Sequence, residues 1–135
     1  MRLRLKNSLP FITIEIKHAG KRVKIPNVLV DTGSGGTVFS ADELAKIDIT
    51  PQPDDALHTI SGVGGNEVVF TRKVDEVKAG KFSAKNFEIE VGGMDYGFDI
   101  QGILGMDFLV SAKAKIDLEK MELEFKDAKS KKRKS

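Results

Sequence analysis

Phe11-Ile-Thr-Ile-Glu-Ile-Lys17 places Ile12, Ile14 and Ile16 on one side of an extended chain, the two-residue period of a half-buried strand. His18-Ala-Gly-Lys21 reads as a turn, Arg22-Val-Lys-Ile25 returns as a second strand, and Pro26 interrupts the pattern. Val28-Leu-Val30 is continuously apolar, which predicts burial on both faces, and it runs into the glycine-rich turn Asp31-Thr-Gly-Ser-Gly-Gly36. Thr37 to Ser40 is extended. Ser40 and Glu43 have the spacing of a capping box, opening a short helix over 41–46 that Pro51 and Pro53 keep from continuing. Two strands flank Gly62-Val-Gly-Gly65 and predict a glycine-tipped hairpin. The stretch 66–77 is strand-like, Ala79-Gly-Lys81 turns it back, and Phe87, Ile89 and Val91 then alternate with Glu88 and Glu90. After Gly92-Gly93 come Ile100-Gln-Gly-Ile-Leu-Gly105, a short helix over 106–112, and a closing hairpin of 114–118 against 121–125. Many short strands and two short helices predict an all-β, barrel-like domain.

Length and composition narrow the chemistry. The chain of 135 residues suits one domain over 1–125 with a core large enough to stand without disulfides. Beyond Phe125 no apolar residue larger than alanine occurs, so 126–135 is expected to be a disordered tail. That tail carries six Lys/Arg and one Asp, five net positive charges; against the whole chain's +2, the first 125 residues are three net negative. No aromatic residue is interleaved with the basic run, which disfavours a nucleic-acid partner and leaves a solvating arm. The absence of cysteine removes disulfides, thiolate metal sites and cysteine nucleophiles together. Two histidines, His18 and His58, are too few for most metal centres and are expected to face solvent or hydrogen-bond locally. No metal or cofactor is implied, and chemistry must come from carboxylates and hydroxyls. No apolar run is long enough to span a bilayer, and no apolar signal core follows the basic Met1-Arg-Leu-Arg-Leu-Lys6. The chain is therefore expected to be cytoplasmic, with no membrane partner. Met94, Met106 and Met121 are expected to fill gaps in the core.

Asp31 stands where an apolar strand enters a turn, so its carboxylate is expected at the end of a buried element. Gly33 permits close backbone approach, and Thr32 and Ser34 offer hydroxyls able to orient a carboxylate. Taken alone, Asp31 reads equally well as a turn residue binding its own backbone.

Four segments carry a resemblance. Val28-Leu-Val-Asp-Thr-Gly-Ser34 resembles the catalytic loop of retropepsin-like aspartic proteases, and His58-Thr-Ile-Ser-Gly-Val-Gly-Gly65 resembles their substrate-covering flap. Gly102-Ile-Leu-Gly-Met-Asp-Phe-Leu109 is similar to the glycine turn and helix of the second half. The hairpin containing Ile116-Asp-Leu-Glu-Lys-Met-Glu-Leu123 fits cellular retropepsin-like domains, including the DNA-damage-inducible proteins. The pieces occur in the family's order over about 12–125. The resemblance implies a retropepsin-like acid protease barrel with Asp31 as the catalytic residue, Thr32, Gly33 and Ser34 as its loop, and Ser61, Gly62, Val63, Gly64 and Gly65 as the substrate-binding flap. It further implies that Thr32 bonds across a two-fold axis, that Ser34 bonds the outer carboxylate oxygen, and that Val63 is a candidate subsite residue. Tyr96 falls outside the flap, unlike the flap tyrosine of pepsin-like enzymes.

Aspartic proteases as a class use two carboxylates about 3 Å apart that share one proton, so one acts as base and the other as acid. This chain has one Asp-Thr-Gly, and Asp107 falls beyond Gly105 in a helix, where a surface or capping role is expected. The second carboxylate is therefore expected from another copy, in a homodimer acting on peptide or protein substrates. In retroviral enzymes the termini build much of the dimer sheet; here the closing hairpin around Leu118 and Phe125 is the expected counterpart. The alternative is a non-catalytic peptide-binding or dimerisation module on the same fold.

Overall fold

The computed structural model describes residues 1–62, 65–94 and 99–126, with Ser61, Gly62 and Gly65 described in backbone only. Val63 and Gly64 of the expected flap, Tyr96, and the tail from Asp127 onward lie outside the described residues. The strands are β1 (Arg4–Lys6), β2 (Leu9–His18), β3 (Lys21–Val30), β4 (Val38–Ser40), β5 (Leu57–Gly62), β6 (Gly65–Ala79), β7 (Phe82–Gly92), β8 (Gly102–Leu104), β9 (Lys115–Asp117) and β10 (Glu122–Glu124). The helices are α1 (Ala41–Ala45) and α2 (Met106–Ser111). None of the described helices is long and apolar enough to cross a membrane.

The main sheet runs β1-β2-β3-β8-β4-β7-β6-β5, and an added β2–β6 pairing closes its interior strands into a ring. Closure gives each interior strand partners on both sides, leaving β1 and β5 as the edges, and explains why the isoleucines of β2 are all fully buried. They pack in one core with Val28 and Val30 of β3, Ile89 and Val91 of β7, Leu104 of β8 and Phe108 of α2. Phe108 is met edge-on by Phe82 and Phe87, with centroids at 5.7 and 5.4 Å, and by Phe125 at 6.0 Å.

The placement of β8 shapes the loop that carries Asp31. It lies between β3, to which it is parallel, and β4, to which it is antiparallel. The chain leaving β3 at Val30 must therefore cross the end of β8 to reach Val38. Residues 31–37 make that crossing, directly over Gly105.

Several expectations are corrected. Pro26 does not interrupt its strand: β3 continues through it because the β2–β3 register shifts between Ile12 and Ile14, leaving Pro26 in a bulge. Its carbonyl oxygen accepts from the Arg4 guanidinium. Ser40 precedes α1 but makes no side-chain cap; Glu43 instead binds Lys46 and Gln101. Met106 is 39% exposed, not core, whereas Met94 is buried. Phe125 packs on Phe82 and Phe108 of its own chain, and Leu118 is the one large apolar side chain of that hairpin exposed to solvent. Residues 1–3 also close on their own chain: Met1 and Leu3 exchange backbone bonds with Leu123 and Met121 beside β10. The closing hairpin thus packs against both the N-terminal residues and α2 of its own chain.

Candidate active site

Asp31 is the first residue past the buried end of β3, half-buried itself, with its backbone N–H donating to Leu104 O at 3.0 Å. The N–H of Gly33 donates to Asp31 Oδ1 at 2.9 Å, and that of Ser34 to Asp31 O at 3.2 Å. The turn thus orients one carboxylate oxygen with a backbone donor and leaves the other to neighbouring groups. A Cβ at Gly33 would stand 3.1 Å from Oδ1, so glycine keeps the carboxylate in place. Thr32 and Gly33 are exposed, and Thr32 makes no side-chain hydrogen bond among the described residues. Ser34 departs from expectation: its hydroxyl donates to Gly36 O at 2.8 Å, closing the loop instead of holding the carboxylate.

The second half of the chain supports this loop. Met106 N–H donates to Ser34 O at 2.7 Å and Asp107 N–H to Gly35 O at 3.2 Å. Thr37, fully buried, donates from Oγ1 to Asp107 Oδ1 at 2.7 Å and accepts from Gly105 N–H at 3.0 Å. Asp107 Oδ1 also accepts from Phe108 N–H. Asp107 is therefore at the surface and near the start of α2, as expected, and in addition clamps the loop. Thr37 and the clamping role of Asp107 were not legible in the sequence, because their partners lie about 70 residues apart. Spacing alone cannot report such a contact.

The segment expected to form a flap is the β5–β6 hairpin, paired from Leu57↔Phe70 to Gly62↔Gly65. Ile60 and Val69 of this hairpin join Leu29 of β3, Val38, Ile103 and Phe11 in a second apolar cluster. His58 heads β5. Glu67 of β6 reaches the segment after β7 and accepts from Met94 N–H at 2.6 Å. Gly92 leaves the necessary space, since a Cβ there would stand 2.8 Å from Val69 and 3.0 Å from the Glu67 carboxyl carbon. Truncating Glu67 to alanine removes this charge-assisted bond and is expected to destabilise the chain by about 1–2 kcal/mol, read from the urea midpoint at unchanged m-value.

The Asp-Thr-Gly turn, supported from the second half by Gly105 and Asp107, agrees with a match over residues 13–108 to the model of the aspartyl protease family. The chain belongs to the aspartyl protease family. Solved structures place it in the retropepsin-like fold of that family. A retropepsin-like aspartic protease from Rickettsia conorii is similar at TM-score 0.65 and 20% identity, covering 91% of this chain and 95% of its own. The EIAV protease, solved with the inhibitor HBY-793, is similar at TM-score 0.60 and 23% identity, covering 85% of this chain and 98% of its own. No curated protein matches the sequence. The expected all-β retropepsin-like barrel with two short helices is thus borne out. Among the described residues no group of His, Cys, Asp or Glu is arranged to hold a metal ion.

Proposed function

We propose that this aspartyl protease family member is an endopeptidase that acts as a homodimer, with Asp31 of each copy forming the catalytic pair. The observation that carries this reading is the Asp31 loop itself. It presents an oriented carboxylate beside an exposed Thr32-Gly33, in a chain with one Asp-Thr-Gly. The carboxylate from the second half, Asp107, is engaged with Thr37 and Phe108 and is not available as a partner.

In the dimer, two Asp31 carboxylates would share a proton and hold a water between them. The ionised member takes a proton from that water while the protonated member donates to the scissile carbonyl. The free Thr32 hydroxyls are suited to bonding across the two-fold axis. An extended substrate would lie between this loop and the flap, paired as an added strand. The apolar cluster around Leu29, Val38, Ile60 and Ile103 favours hydrophobic side chains beside the cleaved bond.

Met1, Leu3 and Phe125 are engaged within their own chain, so in this reading pairing would rest on loop and flap contacts. Specific activity on a mixed peptide library should therefore rise with protein concentration, in step with the dimer fraction measured by sedimentation. Cleavage with constant specific activity across a range where the chain is monomeric would sink the shared-site reading. A folded dimer that cleaves nothing would favour the binding-module alternative.

A further inference from the structure

Glu90 of β7 is seated against the back of the catalytic loop by two contacts. Its N–H donates to Thr37 O at 2.8 Å, and its carboxyl group lies over Gly36, where a Cβ would stand 2.6 Å from Oε1. The residues it touches are those that Asp107 and Gly105 hold from the other half of the chain, through the Thr37 hydroxyl. Two acidic side chains therefore converge on a two-residue segment, Gly36-Thr37, of the loop that presents Asp31. Asp107 is committed to its acceptor role, because its Oδ1 receives the Thr37 hydroxyl and the Phe108 N–H.

We propose that Glu90 is a positioning residue for the catalytic loop. With its carboxyl group neutral, Gly36 and Thr37 sit firmly against Gly105 and Asp107; ionisation sets two carboxylates against one another and loosens that seat. The kinetic part of this proposal rests on the endopeptidase reading, whereas the folding part does not.

The surroundings have the required sign. Partial burial and the negative charge of Asp107 push the Glu90 carboxyl up from the ordinary glutamate value of 4.5; His58 opposes them and Glu88 adds to them. Asp107 comes from α2, His58 from β5 and Glu88 from β7 itself, where Lys73 of β6 stands opposite it. The residues directly paired with Glu90, Thr71 of β6 and Val38 of β4, carry no titratable group. A carboxyl group raised in the folded state holds its proton where the unfolded chain has lost it. Its stabilising effect is full below the unfolded value and is lost as pH rises through the folded one.

The test is Glu90→Gln, a neutral isostere, compared with wild type for melting temperature and for kcat/KM between about pH 4 and pH 8. Wild type should melt at lower temperature as pH rises from the ordinary glutamate value, and Glu90→Gln should flatten that fall. The basic limb of kcat/KM should move to higher pH in the variant, with several-fold more activity retained at neutral pH. Asp107→Asn, which keeps an acceptor for Thr37 but removes the repelling charge, should flatten the melting profile in the same direction. Melting profiles parallel to wild type in both variants would overturn the proposal. So would a flattened melt with an unmoved kinetic limb, since a purely structural residue would give that result. If wild type cleaves nothing, the endopeptidase reading fails while the melting comparison still decides the seat.

Discussion

Asp31→Asn should leave a folded chain whose peptide hydrolysis is reduced by about 10³-fold or more, at the upper range for loss of a group acting in proton transfer. The asparagine side chain has the same shape, and its Oδ1 can still accept from Gly33 N–H, so the turn and its bond to Leu104 should persist. What it cannot do is ionise. Two asparagines across the axis provide neither the base that takes a proton from water nor the acid that protonates the carbonyl. The check is cleavage of a peptide library beside a thermal melt within a degree or two of wild type, a shift of a few tenths of a kcal/mol. Mixing adds a sharper arm: excess mutant should suppress wild-type activity by capturing its subunits in one-carboxylate dimers. Residual cleavage at wild-type rate would remove Asp31 from the chemistry, and suppression without activity loss in the mutant alone is not a consistent outcome.

Gly105→Ala should damage both stability and activity, though residue 105 carries no reacting group. A Cβ at this position would stand 2.1 Å from Gly36 O, 2.7 Å from its carbonyl carbon and 2.9 Å from Ser34 O. All three are backbone atoms of the crossing loop, so no side-chain rotation relieves the contact. The loop must move away from α2, which strains the bonds from Met106 N–H to Ser34 O and from Gly105 N–H to Thr37 Oγ1. Overpacking of this kind costs about 3 kcal/mol at the upper end of its usual range. A displacement of about 1 Å at the site is enough for roughly a 10²-fold loss of rate. The expected result is a lower urea midpoint together with a fall in kcat larger than the change in KM. Unaltered kcat in a variant of normal stability would mean that the loop is not held by this contact.

The sequence was read most successfully where a local pattern coincides with what the tertiary structure requires. The alternating isoleucines of β2 are local, and the closed sheet buries the face they define. The apolar run before Asp31 is local, and β3 with its turn delivers the carboxylate from it. Where the reading failed, a distant partner overrode the local signal. Pro26 remains within β3 because the register of β2 shifts to accommodate a bulge. The capping box at Ser40 is unused because Glu43 finds Gln101, 58 residues away.

The candidate site divides along the same line. Asp31, Thr32, Gly33 and the β5–β6 hairpin could be picked out as candidates from the chain, because a turn rich in glycine after an apolar strand and a glycine-tipped hairpin are written in consecutive residues. The clamp of Thr37, Gly105 and Asp107, the seat of Glu90 on Gly36, and the Glu67 bond at the β5–β6 hairpin belong to the tertiary structure. They arise because β8 is inserted between β3 and β4, so the loop must cross it and rest on Gly105 and the start of α2. The sequence by itself determined which group would be presented and on what kind of turn; the strand order decided what holds it, since contacts across about 70 residues exist only once the sheet has closed.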